Sequence, residues 1–307
     1  MQKANLTTLT IFANFYIDNE ERLQRMKDSF NSFKKIQPLE WIINIRGSYK
    51  YKAGEYLKDN ISQNISINYL NSIFGWNYDT RKLFKNINGE YILNWIEDHI
   101  LISEPNLLNN CILEMKNYNI DQLWYSWFNT SVMKDILIVD ELHHGKFITS
   151  RKLNSLSCAK IREFRKKNGF EKDFCSVSAQ SIIKKTFFKK ILFSNKPFFK
   201  RYPRKTPHDF EKRSKDEITE EIIHAFPNQE LFVSIDDDFS CDGYSLISRG
   251  LYPNRMSRKE IAFLENPSTP LRKKIKNIIP KIFLPIVIKF IGYLYRLFYT
   301  LNIVWNK

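Results

Sequence analysis

The sequence predicts an α/β fold, a mixed sheet flanked by helices and followed by a basic helical tail. Three observations carry this reading. Strand-like and helix-like segments alternate four times within the first hundred residues. With 307 residues, 43% of them hydrophobic and 15% aromatic, the chain has enough apolar surface for a large core, which a disordered chain lacks. The segment from residue 271 to the end differs in composition from everything before it.

The elements follow in order. "LTTLTIFANF" (6–15) is rich in β-branched and aromatic residues and reads as the first strand. Asp18 with Glu21 three residues on has the pattern of a capping box, and Leu23, Met26, Phe30 and Phe33 then recur at helical spacing. After Pro38, the apolar run "LEWIINI" is a second strand that breaks at Arg46-Gly47-Ser48. A helix over "KAGEYLKDN" and a strand over "ISINYL" continue the alternation. The segment "YDTRKLFKNI" predicts a helix leading to the Asn88-Gly89 turn and the fourth strand, "EYILNWI". Beyond it, "NLLNNCILEMKNY" reads as a helix, "IDQLWYSWF" as a strand, and "SLSCAKIREFRKKNG" as a helix stopped by Gly169. "DFCSVSAQSIIKKTFFKKIL" passes from strand into amphipathic helix. A proline- and lysine-rich surface loop then enters a helix over "DFEKRSKDEITEEIIHAF", and "ELFVSIDDDFSCDGYS" is a strand running into an acidic loop.

The net charge of +15 is local rather than general. Residues 184–215 hold twelve Lys or Arg against Asp209 and Glu211, and residues 271–307 hold eight with no acid, so the rest of the chain is close to neutral. A continuous basic face for nucleic acid is therefore not expected. Cys111, Cys158, Cys175 and Cys241 form no C-x-x-C pair, which excludes a zinc knuckle or disulfide framework and suits a reducing compartment. The N-terminal stretch reaches acids without the long apolar region of a signal peptide, so a cytoplasmic protein is expected.

Chemistry concentrates at the end of the fourth strand, where Glu97, Asp98 and His99 stand side by side. An open α/β sheet binds ligands beyond the carboxyl ends of its strands. Carboxylates there suit Mg²⁺ or Mn²⁺, and an imidazole favours Mn²⁺. A solvated acid pair is the alternative. Asp236, Asp237 and Asp238 do not fit a calcium loop, because Gly243 comes too late, and read as a hydrated loop. His143 and His144, adjacent in a strand, point to opposite faces and do not share a metal. Trp124, Tyr125, Trp127 and Phe128 suit core packing better than stacking on a sugar.

Gly89, Glu90, Tyr91, Ile92 and Leu93, running into Glu97-Asp98-His99, resemble the stretch of family-2-like bacterial glycosyltransferases of the GT-A fold in which a Gly-Glu-Tyr-Ile strand enters an Asp-x-Asp cluster. Ile96 stands where the first Asp is usual. The resemblance extends to Arg81 in the preceding helix and to the βαβαβ order of residues 6–100. It implies a GT-A-like domain over 1–270, with a nucleotide-sugar-binding half (1–103) and an acceptor half (104–270). It also implies donor contacts from Asn14, Arg46, Gly47, Arg81, Glu97 and Asp98, and a Mn²⁺ or Mg²⁺ ion on Asp98, Glu97 and His99. The implied activity is transfer of a sugar from a nucleotide-diphosphate donor to a glycan or lipid-linked acceptor in cell-surface polysaccharide synthesis. An inverting enzyme of this kind needs a carboxylate base for the acceptor hydroxyl. Glu211 is the first candidate and Asp209 the second, at the start of a helix whose dipole favours the ionised form. His208 and His224 lie near them in sequence, as metal or phosphate contacts.

In the tail, Lys289, Tyr293, Arg296 and Thr300 make one polar stripe on an apolar helix, behind Arg272, Lys273, Lys274 and Lys276. This is the pattern of a helix lying in an anionic membrane interface, with packing on the domain or on a partner subunit as the alternative. Peripheral attachment at the inner face of the cell membrane is the matching expectation. Two other classes fit the same features: a non-enzymatic binder of anionic lipid or nucleic acid, and a metal-dependent phosphoryl or nucleotidyl transferase.

Overall fold

A computed structural model describes residues 4–62, 64–71, 76–125, 142–167, 180–193, 221–236 and 245–253. All of them belong to one compact unit, Met1–Pro253. A second unit, Asn254–Lys307, lies outside the described residues, and with it the predicted tail at 271–307. Among the described residues, no helix is long and apolar enough to cross a membrane.

The first strand, β1 (Ala4–Tyr16), is the centre of the parallel half. It pairs in parallel with β2 (Ile36–Arg46) on one side and β4 (Tyr91–Trp95) on the other, and β2 pairs in parallel with β3 (Ile65–Tyr69). Leu9, Ile11, Ala13 and Phe15 point to one face and Thr10 and Phe12 to the other, all of them buried, as a strand covered on both sides requires. One layer of helices is α1 (Glu20–Phe33), α2 (Lys50–Asn60) and α4 (Pro105–Asn117). Their Leu23, Met26, Phe30, Leu57, Leu108 and Met115 join the larger core. On the opposite face Phe84 of α3 (Trp76–Phe84), Ile161 of α5 (Ser155–Lys167), and Phe187, Phe188 and Ile191 of α6 (Lys185–Leu192) pack around Phe12. The α1 cap differs from the predicted capping box. Asn19 is the N-cap and accepts from the Arg22 N–H, while Glu21 is taken by Arg25.

The second half extends the same sheet. The full order is β3-β2-β1-β4-β9-β6-β10-β8-β7, with β6 (Gln122–Trp124), β7 (Leu142–His144), β8 (Ile148–Leu153), β9 (Ser181–Lys184) and β10 (Ile222–Pro227). Only β9 and β8 run against the others. A mixed sheet with helices on both faces is the α/β architecture that the sequence predicts. One element changes type: residues 222–226, expected as the end of a helix, form β10, because Ile222, His224 and Phe226 are buried between β6 and β8. Two short strands, β5 (His99–Leu101) and β11 (Phe232–Ser234), make a separate antiparallel pair.

A buried carboxylate holds the turn that launches β4. Glu40 accepts from Thr10 Oγ1 (2.7 Å), Asn88 N (2.6 Å) and Asn88 Nδ2 (2.8 Å), and Thr10 Oγ1 in turn accepts from Gly89 N. Glycine is required at 89, since a Cβ there would lie 2.5 Å from Thr10 Oγ1 and 2.6 Å from Thr10 N. Glu40→Ala leaves three donors without their acceptor and should lower unfolding stability by about 2 to 4 kcal/mol, read from urea denaturation.

Candidate functional site at the carboxyl edge of the parallel strands

The chain leaves β1 for β2 and β3 on one side and returns to β4 on the other. That reversal is a topological switch point, and such sheets bind ligands beyond the carboxyl ends of the strands there, here β1 and β4. Three segments meet there. Asn14, near the end of β1, donates through Nδ2 to Thr80 Oγ1 of α3 at 2.9 Å. Arg46 ends β2 opposite Tyr16 and is 9% exposed. Its Nε lies 3.8 Å from Asp79 Oδ2, and this buried nitrogen makes no hydrogen bond. Burial lowers the Arg46 pKa, partly offset by the charge of Asp79 and then by Tyr16 and Glu97, so Glu97 lies within electrostatic reach of the guanidinium. Gly47 turns the chain at φ +99°, and a Cβ would sit 2.1 Å from Ile17 O. That close approach lets Ile17 N donate to Arg46 O and Tyr49 N to Ile17 O, zipping the two strand ends together.

The third segment is the turn at Asp98. His99 Nδ1 lies 2.6 Å from Asp98 Oδ1, and because an ionised carboxylate only accepts, Nδ1 carries the proton. Burial raises the Asp98 pKa, but the charge and hydrogen bond of His99 and the charge of Arg25 outweigh it, so the carboxyl is held below its ordinary value. About a third of the Asp98 side chain (34%) stays exposed. His99 faces inward: it is 6% exposed, its Nε2 is buried without a hydrogen bond, and its ring meets Tyr125 edge-on at 4.8 Å. Helix α1 fixes the turn from below. Ser29 Oγ donates to His99 O and accepts from Trp95 Nε1, while Ser32 Oγ accepts from Leu101 N. On its other flank, Gln180 Oε1 accepts from Ile96 N at 2.9 Å.

Among the described residues, no three His, Cys, Asp or Glu side chains converge as a cation cage. The part-exposed Asp98 carboxylate, with Glu97 next to it in the chain, would fit Mg²⁺ or Mn²⁺ of the kind held by one or two carboxylates, substrate phosphates and water. His99, also expected as a ligand, has its Nδ1 engaged by Asp98 and its Nε2 buried.

The remaining predicted residues fall elsewhere. Arg81 faces α6: its Nε donates to Leu192 O at the helix end, and its guanidinium lies 5.3 Å from the Phe193 ring centroid. Glu211, Asp209 and His208 lie outside the described residues, as do Trp127, Phe128, Asp237 and Asp238. Trp124 and Tyr125 are core residues, and His143 and His144 are exposed on β7. Asp236 departs from the hydrated loop expected of it, since Arg25 Nη1 holds its Oδ2 at 2.6 Å. Arg25, Ser29 and Gln180 carried no sequence signal, because each reaches the turn through a contact at least 66 residues away along the chain.

No family model and no curated protein matches this chain. Among solved structures, S. aureus TarS 1–349 aligns over 74% of this chain and 60% of its own, at 11% identity and a TM-score of 0.47. The complex of that protein with UDP-GlcNAc aligns over 76% and 60% at the same identity and score. UDP-glucose pyrophosphorylase complexed with UDP-glucose aligns over 80% of this chain and 98% of its own, at 11% identity and a TM-score of 0.44. The chain thus spans 60% of the TarS chain, and so distant a likeness assigns no activity.

His224 is no ligand contact. It is fully buried on β10 beside Trp124 and Phe187, with both ring nitrogens unbonded, and burial, then the charge of Arg151, hold its pKa well below the ordinary value. Above the unfolded value of ~6.5 both states are neutral and pH has no effect through this group. Below it the unfolded chain takes the proton first, so stability falls by up to ~1.4 kcal/mol per pH unit until the folded value is reached. His224→Phe should flatten this part of the dependence between pH 7.5 and 5, measured as urea midpoints.

Proposed function

We propose that the chain is a glycosyltransferase that lays a nucleotide-diphosphate sugar across the ends of β1, β2 and β4 and passes the sugar to a glycan or lipid-linked acceptor. The observation that supports it most is the presence of both charges along one sheet edge. An ionised, part-exposed Asp98 bonded to His99 follows the end of β4, and Arg46, a buried cation with an unbonded Nε beside Asp79, ends β2. The wording of Gly89 to Leu93 supports the same class.

In this reading Asn14, Arg46 and Gly47 line the donor site, and Glu97 and Asp98 hold a Mn²⁺ or Mg²⁺ ion at the diphosphate. Such an ion supplies charge compensation for the leaving group. His99 keeps the Asp98 carboxylate ionised and fixed in direction. Glu211, or Asp209 in its place, takes the proton of the acceptor hydroxyl. Residues 1–270 form the transferase domain, and the tail at 271–307 lies on the anionic inner face of the membrane, where a lipid-linked acceptor would be found. Surface polysaccharide synthesis is the matching pathway class.

A thermal-shift screen of UDP- and GDP-sugars with Mn²⁺, followed by product analysis, tests the reading. Asp98→Ala should abolish transfer while the domain stays folded, and wild-type turnover by that variant or full activity in EDTA would sink it. Release of sugar 1-phosphate from the donor, with the nucleoside monophosphate passed to the acceptor, would mark a nucleotidyl transferase instead. Glu211→Gln should cut turnover by about 10² to 10⁴ and leave donor affinity nearly unchanged. If only Asp209→Asn has that effect, the base lies two residues earlier.

A further inference from the structure

Arg25 stands behind both acid turns and belongs to neither. It lies on α1 one turn before Ser29, which grips His99 O, and it is only 5% exposed. Its Nη1 donates to Asp236 Oδ2 at 2.6 Å and its Nε to Glu21 Oε1 at 3.0 Å, while Nη2 is buried with no hydrogen bond. The two turns are also bound to each other through the backbone. β11 pairs with β5, and Ile235 N donates to Asp98 O at 2.7 Å, immediately before Asp236. Asp98 and Asp236 therefore lie on adjoining strand ends, where the guanidinium holds Asp236 directly and reaches Asp98 through its charge.

We propose that Arg25 is a positioning residue and a resident counter-cation, holding the Asp236 turn against the Asp98 turn so that a divalent ion joins this edge together with the donor diphosphate rather than ahead of it. The proposal rests on the reading that such an ion binds at Asp98. A fixed positive charge in the field of Asp98 weakens the site for a free divalent ion. The diphosphate brings two or more negative charges of its own and tips the balance back. Arg25 thereby makes metal entry conditional on donor.

The experiment reads Mn²⁺ alone. The full chain, without nucleotide or acceptor, is titrated with Mn²⁺ and the free ion is followed by electron paramagnetic resonance. Wild type should bind weakly. Arg25→Met removes the charge and should tighten Mn²⁺ binding by at least about tenfold, because the positive charge that reaches Asp98 and holds Asp236 is gone. Arg25→Lys keeps the charge and should stay within about twofold of wild type. Adding Asp98→Asn to Arg25→Met should abolish the gain. Arg25→Gln, which retains a hydrogen-bond donor toward Asp236 but no charge, should behave as Arg25→Met and serves in its place if the methionine variant does not fold. A purely structural role predicts lost stability with no gain in metal affinity. No tightening in either neutral variant, or equal tightening in Arg25→Lys, would overturn the proposal. Because no sugar nucleotide is present, failure of the transferase reading and failure of this one are told apart.

Discussion

A single thirteen-residue strand carries the architecture, because β1 is hydrogen-bonded in parallel on both edges and buried on both faces. The parallel register sets Tyr16 opposite Arg46 and Ala13 opposite Trp95. Three strand ends, far apart in sequence, are therefore delivered to one edge of the sheet. A slip of one residue would invert every side chain of β1 and put Phe12 where Ile11 and Ala13 now lie. The buried Glu40 and the close approach at Gly89 guard that register where β4 begins, since both act on the backbone and side chain of Thr10.

The polar edge is built on an apolar foundation. Trp95 sits under the Asp98 turn, edge-on to Phe15 at 4.7 Å and against Trp41 at 5.9 Å. Its indole N–H goes to Ser29, so the ring that packs the core also ties the turn to α1. From there the network runs outward, from Ser29 to the His99 carbonyl and from the His99 imidazole to Asp98. Each member satisfies the next, and the only carboxylate left facing solvent in this chain of contacts is Asp98. Such an arrangement restricts the rotation of Asp98, as the role proposed for it requires.

Charge is balanced by partners both near and far along the chain. Arg25 compensates Asp236 and Glu21, Arg249 takes Glu230 with two hydrogen bonds, and Glu114 accepts from three successive backbone N–H groups at Lys146, Phe147 and Ile148. A charge buried without such partners would destabilise the fold by several kcal/mol. Arg46 is the exception among these: its Nε has only the 3.8 Å approach to Asp79, at the edge where a ligand is proposed.

Local signals were enough for the first hundred residues. Hydrophobic periodicity and the Asn88-Gly89 turn located β1 to β4 and α1 to α3, because in a βαβ series each element packs beside the next and the pattern of one segment reports its own burial. The position of Asp98 at a strand end was legible for the same reason. Beyond β4 the order β9-β6-β10-β8-β7 departs from chain order, and no segment states its neighbour. Residues 222–226 show the limit clearly: an apolar run after an acidic helical pattern reads as helix, yet pairing with Gln122 and Leu123 on one side and with β8 on the other makes it a strand. The three-residue strands β5 and β11 are too short to carry a period at all, and it is their pairing that brings Asp236 beside Asp98. Arg25 and Asp236, 211 residues apart, meet only when helix, sheet and the two-stranded pair are all in place. Sequence alone determined which early segments become parallel strands and that Asp98 stands just past the end of one of them. Tertiary structure decided which charges neutralise one another, because that depends on distances of a few ångströms between segments that no local pattern connects.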